Sequence, residues 1–137
     1  MVKESGLGMT VNVDDSGGTA RDISNDITSI TFGTSSGVQD ISGLDKSAIE
    51  RLLLLADGTV TITFVFNDAA NKSHAVFKDY RTIFAGEVGR TVTIAVSGQT
   101  LAMEILFSDV NYNRAADGSL VGTATGSLAD GTVPSWS

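Results

Sequence analysis

The fold of this chain is decided by residues 91–107, which read TVTIAVSGQTLAMEILF. Apolar and small or polar side chains alternate on both sides of the dipeptide Ser97-Gly98. Alternation with a period of two places one face of a strand in a core, and a serine-glycine pair suits a two-residue turn. The stretch therefore predicts an antiparallel hairpin with one buried face.

The same alternation recurs on both sides of this hairpin. It is strong at residues 59–66 and weaker at 9–13, 20–24, 27–32, 74–80 and 119–126. About eight short strands with turn signals between them indicate a mainly β chain, an antiparallel sandwich or barrel. Ile27 differs in parity from Ile30 and Phe32, so a bulge near Ser29 is needed if both segments face one core. Residues 34–43 and 67–73 are predicted to be polar loops.

One α-helix is predicted over residues 46–57, flanking the strands. Ser47 and Glu50 have the spacing of a capping box, and Gly58 stands where a helix commonly ends. The apolar residues between them recur at helical spacing, and Leu54 and Leu55 widen the apolar stripe. A stripe this wide either covers an open end of the sandwich or also contacts a neighbouring subunit, which makes both leucines candidates for a subunit interface.

Length and composition describe one domain, residues 1–137. There is no cysteine, and no apolar run approaches the roughly 20 residues that cross a bilayer. Together with the absence of a basic amino-terminal segment followed by an apolar one, this leads us to expect an intracellular, soluble chain with no membrane contact. The net charge of −7 disfavours direct nucleic-acid binding, since an acidic surface repels phosphates.

The sequence offers little for catalysis. His74 is the only histidine, so one chain cannot build a histidine triad or a multi-histidine metal site. Carboxylate pairs such as Asp14 and Asp15 exist, but nothing singles out one pair for acid and base chemistry. Neither a calcium loop nor a phosphate-binding loop has its full pattern. We therefore expect no enzyme activity, no cofactor and no metal.

Several segments resemble one known family. They are Asp22-Ile23-Ser24, residues 43–66, Arg90-Thr91-Val92-Thr93, and the end of the chain, VNYNRAADGSL at 110–120 and LADGTVPSWS at 128–137. Their order along the chain is similar to that in the tail tube, or major tail, proteins of long-tailed bacteriophages of the siphovirus type. Proteins of contractile injection systems and of type VI secretion share that fold.

The resemblance implies a structural virion protein. In this family a β-sandwich with one flanking helix forms rings of six subunits, and the inner strands of the six subunits join into a continuous β-barrel. The rings stack into a tube through which genomic DNA passes without specific binding. Expected partners are a tape-measure protein and tail-terminator and tail-tip proteins. The expected location is the virion tail, with assembly in the host cytoplasm.

The tube reading suggests which residues line the lumen. Acidic side chains there would repel DNA phosphates, and the candidates are Asp22, Asp26, Glu104 and Asp109. Alternation over residues 22–28 puts the first two on one face. Residues 1–8 are predicted to be a flexible arm, and the segment 128–137 is expected to dock through Trp136 on the sandwich or on a neighbouring subunit.

Two alternatives remain at this stage. A capsid-decorating or head-to-tail joining protein would share the viral setting without forming a long tube. A carbohydrate-binding β-sandwich module would need an exposed aromatic platform, for which the sequence offers Tyr80, Tyr112 and Trp136. Formation of tubes or six-fold rings by the purified chain would distinguish a tail tube protein from both of these alternatives.

Overall fold

A computed structural model describes residues 3–137 and is mainly β. Its seven strands form one antiparallel sheet in the order β2-β1-β5-β6-β7-β4-β3. The strands are β1 Thr10–Asp14, β2 Ala20–Asp22, β3 Ile27–Asp40, β4 Arg51–Val65, β5 Arg90–Val96, β6 Gln99–Arg114 and β7 Leu120–Leu128. The mainly β, antiparallel fold class predicted from the sequence is confirmed.

The two most local predictions are confirmed in detail. Strands β5 and β6 form the expected hairpin, with Val96 paired to Gln99 and positive φ angles of 51° at Ser97 and 78° at Gly98. Two positive φ angles at the turn match the right-handed twist of the flanking strands. The register between β3 and β4 shifts between Ile27 and Ser29, which is the predicted bulge.

Strand β6 belongs to two halves of the sheet. Its first residues, up to Ile105, pair with β5, and residues 105–114 pair with β7. We call β2, β1, β5 and the first part of β6 the short-strand half, and the second part of β6 with β7, β4 and β3 the long-strand half. The sheet curves so that Val11 of β1 and Ile30 of β3 line one groove.

The core lies between the two halves. Val60, Ile62 and Phe64 of β4 are fully buried, as are inward residues of β5 and β6. Strand β7 contributes glycine instead of bulk, because a Cβ on Gly122 would come within 2.4 Å of the Phe64 ring. A Cβ on Gly126 would come within 2.5 Å of an Ile105 methyl group. The small face of β7 therefore leaves room for the Phe64 ring and the Ile105 side chain in the core.

The helix predicted over residues 46–57 is wrong. Residues 41–50 are irregular, and β4 begins at Arg51, which pairs with Asp40 of β3. Lys46 and Glu50 form the ion pair typical of helical spacing, at 3.2 Å, without a helix around them. A run of four leucines satisfies helical and strand periodicity equally, and pairing with β3 decides between them. The loop predicted at 34–43 is accordingly strand up to Asp40.

Among residues 3–137 the one α-helix, α1, is Ser73–Phe77, so the strand predicted at 74–80 is also wrong. Phe77 of α1 stacks on Phe64 with ring centroids 4.7 Å apart and meets Phe107 edge-on at 5.5 Å. The helix thus closes the end of the core at which β4 finishes. A short 3₁₀ turn, Ser24–Asp26, joins β2 to β3.

A buried arginine anchors the segment around α1. The Arg90 side chain is 2% exposed, and its guanidinium donates to the backbone carbonyls of Val76, Asp79 and Thr82. Burial lowers its pKa, an effect that the nearby Asp15, Asp79 and Asp14 oppose. Arg90 thereby supplies donors to the carbonyls of Val76 and Thr82, and a second donor to that of Asp79, which also accepts from the Thr82 amide.

The carboxyl-terminal segment closes the other end of the core. Ser137 exchanges two backbone hydrogen bonds with Thr100, and the Trp136 ring lies 6.1 Å from the ring of Phe32. The predicted docking of this segment on the sandwich is confirmed, although Trp136 remains 48% exposed. Of the predicted amino-terminal arm 1–8, Met1 and Val2 lie outside the described residues.

Candidate functional site

The outward face of the long-strand half is a grid of hydroxyl side chains, which we call the threonine face. On β4, Thr61 points away from the core because Val60 and Ile62 beside it are fully buried. Thr61 pairs with Thr31 of β3 on one side and Thr125 of β7 on the other. The polar residues of the face are Ser29, Thr31, Thr59, Thr61, Thr63, Thr123, Thr125, Ser127, Asp109 and Asn111. Exposed apolar side chains lie at its margins, Leu106 beside Ser127 and Val65 beside Val121.

This face is almost free of charge. Asp109, which pairs with Thr125, is the only ionisable group among the described residues that we assign to the threonine face. Its Oδ1 accepts a hydrogen bond of 2.9 Å from Asn111 Nδ2 on the same face. Hydroxyls and amides remain hydrated without attracting or repelling a polyanion strongly. The arrangement gives a wet, weakly interacting surface.

Among the four predicted lumen residues, Asp26 is misassigned. Its side chain is 6% exposed, and its carboxylate accepts hydrogen bonds from Asn67 Nδ2 at 2.9 Å and from the Ser73 amide at 3.2 Å. The 3₁₀ turn at Ser24–Asp26 interrupts the alternation that placed Asp22 and Asp26 together. Asp26 is a structural residue that ties β3 to the start of α1.

Asp22 and Glu104 lie on the short-strand half, away from the threonine face. Asp22 pairs with Asn12 and is exposed. Glu104 pairs with Thr91, whose hydroxyl donates to Glu104 Oε2 at 2.9 Å, while Oε1 is buried without a partner. The outward faces of the two halves point in opposite directions across the core. Of the four candidates, only Asp109 belongs to the threonine face.

The short-strand half also carries a buried carboxylate that provides a pH test. Burial raises the pKa of Asp14, helped by the charge of Asp15 and opposed by a hydrogen bond from Thr91. Because the folded state binds this proton more tightly than the unfolded state, ionisation of Asp14 destabilises the fold as the pH rises above its ordinary value. We expect Asp14→Asn to raise the free energy of unfolding at about pH 7 but not at about pH 3, measured by urea denaturation.

The neighbouring residue is the matched control. Burial raises the pKa of Asp15, but hydrogen bonds from Thr19, Arg21 and Gly17 outweigh it and leave that pKa lowered. Its ionised form therefore stabilises the fold at neutral pH, and Asp15→Asn should lower the free energy of unfolding there. Equal effects of the two substitutions at neutral pH would contradict this assignment.

Both outer strands of the long-strand half have an unpaired edge. Strand β3 pairs only with β4 among the described strands. Strand β6 loses its β5 partner after the pair of Ile105 with Arg90, and from there on β7 is its only partner among the described strands. Exposed edges of this length pair readily with another chain. The long-strand half is therefore open to extension on both sides.

The predicted interface residues Leu54 and Leu55 lie on an extended two-stranded arm. Beyond the pair of Thr59 with Ser127, β4 loses its β7 partner. Residues 34–40 and 51–57 continue as a β3–β4 ribbon alone, joined by the irregular residues 41–50. We call residues 34–57 the arm. Leu54 is 48% exposed and Leu55 is 93% exposed. Exposed apolar groups in such number mark a surface for another molecule.

The described residues contain no group of three or more histidine, cysteine or acidic side chains arranged to hold a metal ion. Nor is any helix in the described part of the chain long and apolar enough to cross a membrane. The function of the chain is inferred from its surfaces, which are the threonine face, the open edges and the arm.

Comparison with solved structures identifies where this fold occurs. A chain in the virion of a native gene transfer agent particle superposes with a TM-score of 0.71 and 16% identity, covering 98% of this chain and 99% of that one. A chain in the tail of an empty gene transfer agent particle, refined helically with C6 symmetry, superposes with a TM-score of 0.72 and 15% identity. That match covers 98% of this chain and 99% of the other. The fold is that of a gene transfer agent tail protein. Neither a protein-family model nor a curated protein matches the sequence.

The match extends over essentially the whole length of both chains, so the arm and both halves of the sheet belong to the shared fold. The fold implied by the sequence resemblance is thereby confirmed. At this low identity the agreement concerns the fold, and function is argued from the faces and edges described above.

Proposed function

We propose that this chain is the subunit of a viral tail tube, in which six copies form a ring and rings stack into a conduit for DNA. The observation that carries the proposal is the long-strand half, with an uncharged hydroxyl face and two open edges. The C6-symmetric tail in which the fold occurs supports six-fold closure. The role is structural and not enzymatic, and the protein resides in the virion tail after assembly in the host cytoplasm.

Strand direction makes closure feasible. Strand β3 is antiparallel to β4, β4 to β7, and β7 to β6. The two edge strands β3 and β6 therefore run in opposite directions. When β3 of one copy lies beside β6 of the next, the antiparallel alternation continues without a break. Four strands from each subunit can close into one barrel, which removes both open edges of the long-strand half.

The threonine face then lines the lumen. Closing the barrel leaves one face of the long-strand half toward the axis, and the other face is already filled by the core. DNA would pass hydroxyl groups and one carboxylate, Asp109, per subunit. Such a wall offers no cationic groups to hold phosphates and only a weak repulsion. A tape-measure protein, a tail terminator and tail-tip proteins complete the proposed set of partners.

The geometry does not favour the carbohydrate-binding alternative. Tyr80 is engaged by the Arg81 guanidinium, 4.6 Å from the ring, and Trp136 packs against Phe32 at an interplanar angle of 54°. Tyr112 meets Phe66 at 71°. The three aromatic side chains lie in separate places and at tilted angles, whereas a sugar-stacking site needs a flat, accessible ring face.

We expect the purified chain to form hollow tubes or six-fold rings under negative-stain microscopy. Because the chain has no cysteine, engineered pairs report contacts cleanly. Thr31→Cys on β3, combined in turn with Asp109→Cys, Asn111→Cys or Asn113→Cys on β6, should give an oxidised ladder that ends at six subunits in denaturing gels.

The matched control joins Thr31→Cys with Thr93→Cys on the short-strand half, which should yield no ladder. Small particles at all concentrations, with no ladder from any β3–β6 pair, would refute the tube and favour a decorating or joining protein. A ladder from the control pair alone would show that the short-strand half forms the ring contact.

A further inference from the structure

The arm is apolar on both of its faces. Side chains alternate along β4, so Leu53 and Leu55 share one face and Leu52 and Leu54 share the other. All four leucines are at least 48% exposed, and Leu53 reaches 72%. Val38 pairs with Leu53 and widens the first face. A ribbon with two exposed apolar faces is covered only when it inserts between other surfaces.

The arm also extends well beyond the sandwich. From Gly58 to Arg51 it has no β7 partner, and at about 3.3 Å per residue this part projects about 23 Å. At its tip Leu44 is fully exposed, and Ile49 is 58% exposed. The arm can therefore reach a neighbouring copy.

The opposite end of β4 carries an aromatic cluster formed by Phe66, His74 and Tyr112, of which Tyr112 is exposed and the other two are partly buried. The ring centroids of Phe66 and His74 are 4.5 Å apart, and each lies 6.1 to 6.2 Å from the ring of Tyr112. The His74 Nδ1 and the Tyr112 hydroxyl are 3.3 Å apart. Tyr112 is 42% exposed and Val65 beside it is 45% exposed. This end thus presents apolar surface suited to leucine side chains.

The charges of the two ends are complementary. The arm, residues 34–57, holds four acidic and two basic side chains, a net charge of −2. Residues 66–82, which surround the aromatic cluster, hold two acidic and three basic side chains, a net charge of +1 in a chain whose total is −7. Opposite potentials favour contact between these ends and disfavour contact between like ends.

We propose that the arm of one subunit docks on the aromatic cluster of a second copy in the adjacent ring, with the arm leucines against Phe66, His74 and Tyr112. The inference rests on the proposed tube and identifies its ring-to-ring contact. Because the arm and the cluster lie at opposite ends of one strand, the contact joins unlike surfaces. Such a head-to-tail contact repeats without closing and builds a filament.

Two double-cysteine variants in the assembled tube test this contact. Leu44→Cys at the arm tip with Ala70→Cys in the loop between Phe66 and His74 should cross-link copies into chains longer than six subunits. Leu44→Cys with Gln99→Cys, at the end of the sheet from which the arm projects, is the matched control and should not. Tubes that link the control pair and not the first pair would overturn the proposed contact and leave the tube itself intact.

Substitutions provide a second, independent readout. Leu53→Asp and Leu54→Asp, one on each face of the arm, should each leave single rings that do not stack, and Tyr112→Ser should do the same. Val88→Asp, at an exposed valine outside the arm, the aromatic cluster and β6, should keep the tubes. Normal tubes from both arm variants would overturn the docking. Failure of the wild-type chain to form rings or tubes would instead refute the proposed function, and this contact with it.

Discussion

Arg90→Ala is expected to remove much of the stability of this fold. The substitution takes a guanidinium away from the backbone carbonyls of Val76, Asp79 and Thr82 and leaves that of Val76 buried with no donor. Each buried group without a partner costs about 1–3 kcal/mol, and the side chain also leaves a cavity. We expect a loss of about 3–5 kcal/mol, measured by urea or thermal unfolding. Domains of this kind have about 5–15 kcal/mol in total.

Two further variants distinguish the loss of the Arg90 hydrogen bonds from a general effect of removing a positive charge. Arg90→Lys keeps a positive charge, but a single ammonium group cannot donate to several carbonyls arranged around a planar guanidinium. Most of the loss of stability should therefore persist. Arg114→Ala removes an exposed arginine and should change stability by no more than about 0.5 kcal/mol. Similar unfolding midpoints for Arg90→Ala and Arg114→Ala would show that Arg90 does not hold the α1 segment.

Arg90 also shows how far the sequence could be read. The alternation through Val92 and Ile94, both fully buried, extends back to Arg90 and places it on the core face. Parity alone therefore signalled a buried arginine, which the sequence analysis missed. Its partners could not be predicted, because three carbonyls from the α1 segment meet the guanidinium only through the folded path of residues 76–82.

Predictions succeeded where neighbouring residues decide the structure. The β5–β6 hairpin depends on a two-residue turn and on strict alternation, and both are local. The bulge near Ser29 followed from a change of parity within a few residues. In contrast, the leucine run at 52–55 was consistent with helix or strand, and only its pairing with β3, across a long loop, settled the choice.

The candidate site was predicted in part for the same reason. Asp109 was placed on the face now proposed to line the lumen, while Asp22 and Glu104 lie on the other half and Asp26 is buried. Each assignment depends on which half of the sheet a strand joins, and β6 joins both. The threonine residues of β4 and β7 alternated visibly in the sequence. That these threonines lie on one face follows only from the strand register, which pairs Thr61 with Thr31 and Thr125.

The matched pair Thr61→Lys and Thr93→Lys separates the two outward faces by an effect on DNA. Both residues are partly exposed threonines in the middle of a strand, so the two substitutions disturb the fold to a similar, small extent. Thr93 pairs with Asn12 and Ala102 on the short-strand half, which faces outward in the proposed tube. If Thr61→Lys prevents assembly, Thr125→Lys on the neighbouring strand tests the same face.

Thr61→Lys should convert a tube that ignores DNA into one that holds it. Six lysines per ring, repeated along the stack, would place a dense column of positive charge on the lumen wall, and each phosphate contact adds to a salt-dependent affinity. We expect wild-type tubes to retain no short DNA, Thr61→Lys tubes to retain DNA and shield it from nuclease, and Thr93→Lys tubes to bind DNA that nuclease still degrades. Retention should fall steeply as salt is raised. Nuclease protection by Thr93→Lys and not by Thr61→Lys would reverse the assignment, because it would place the short-strand half at the lumen.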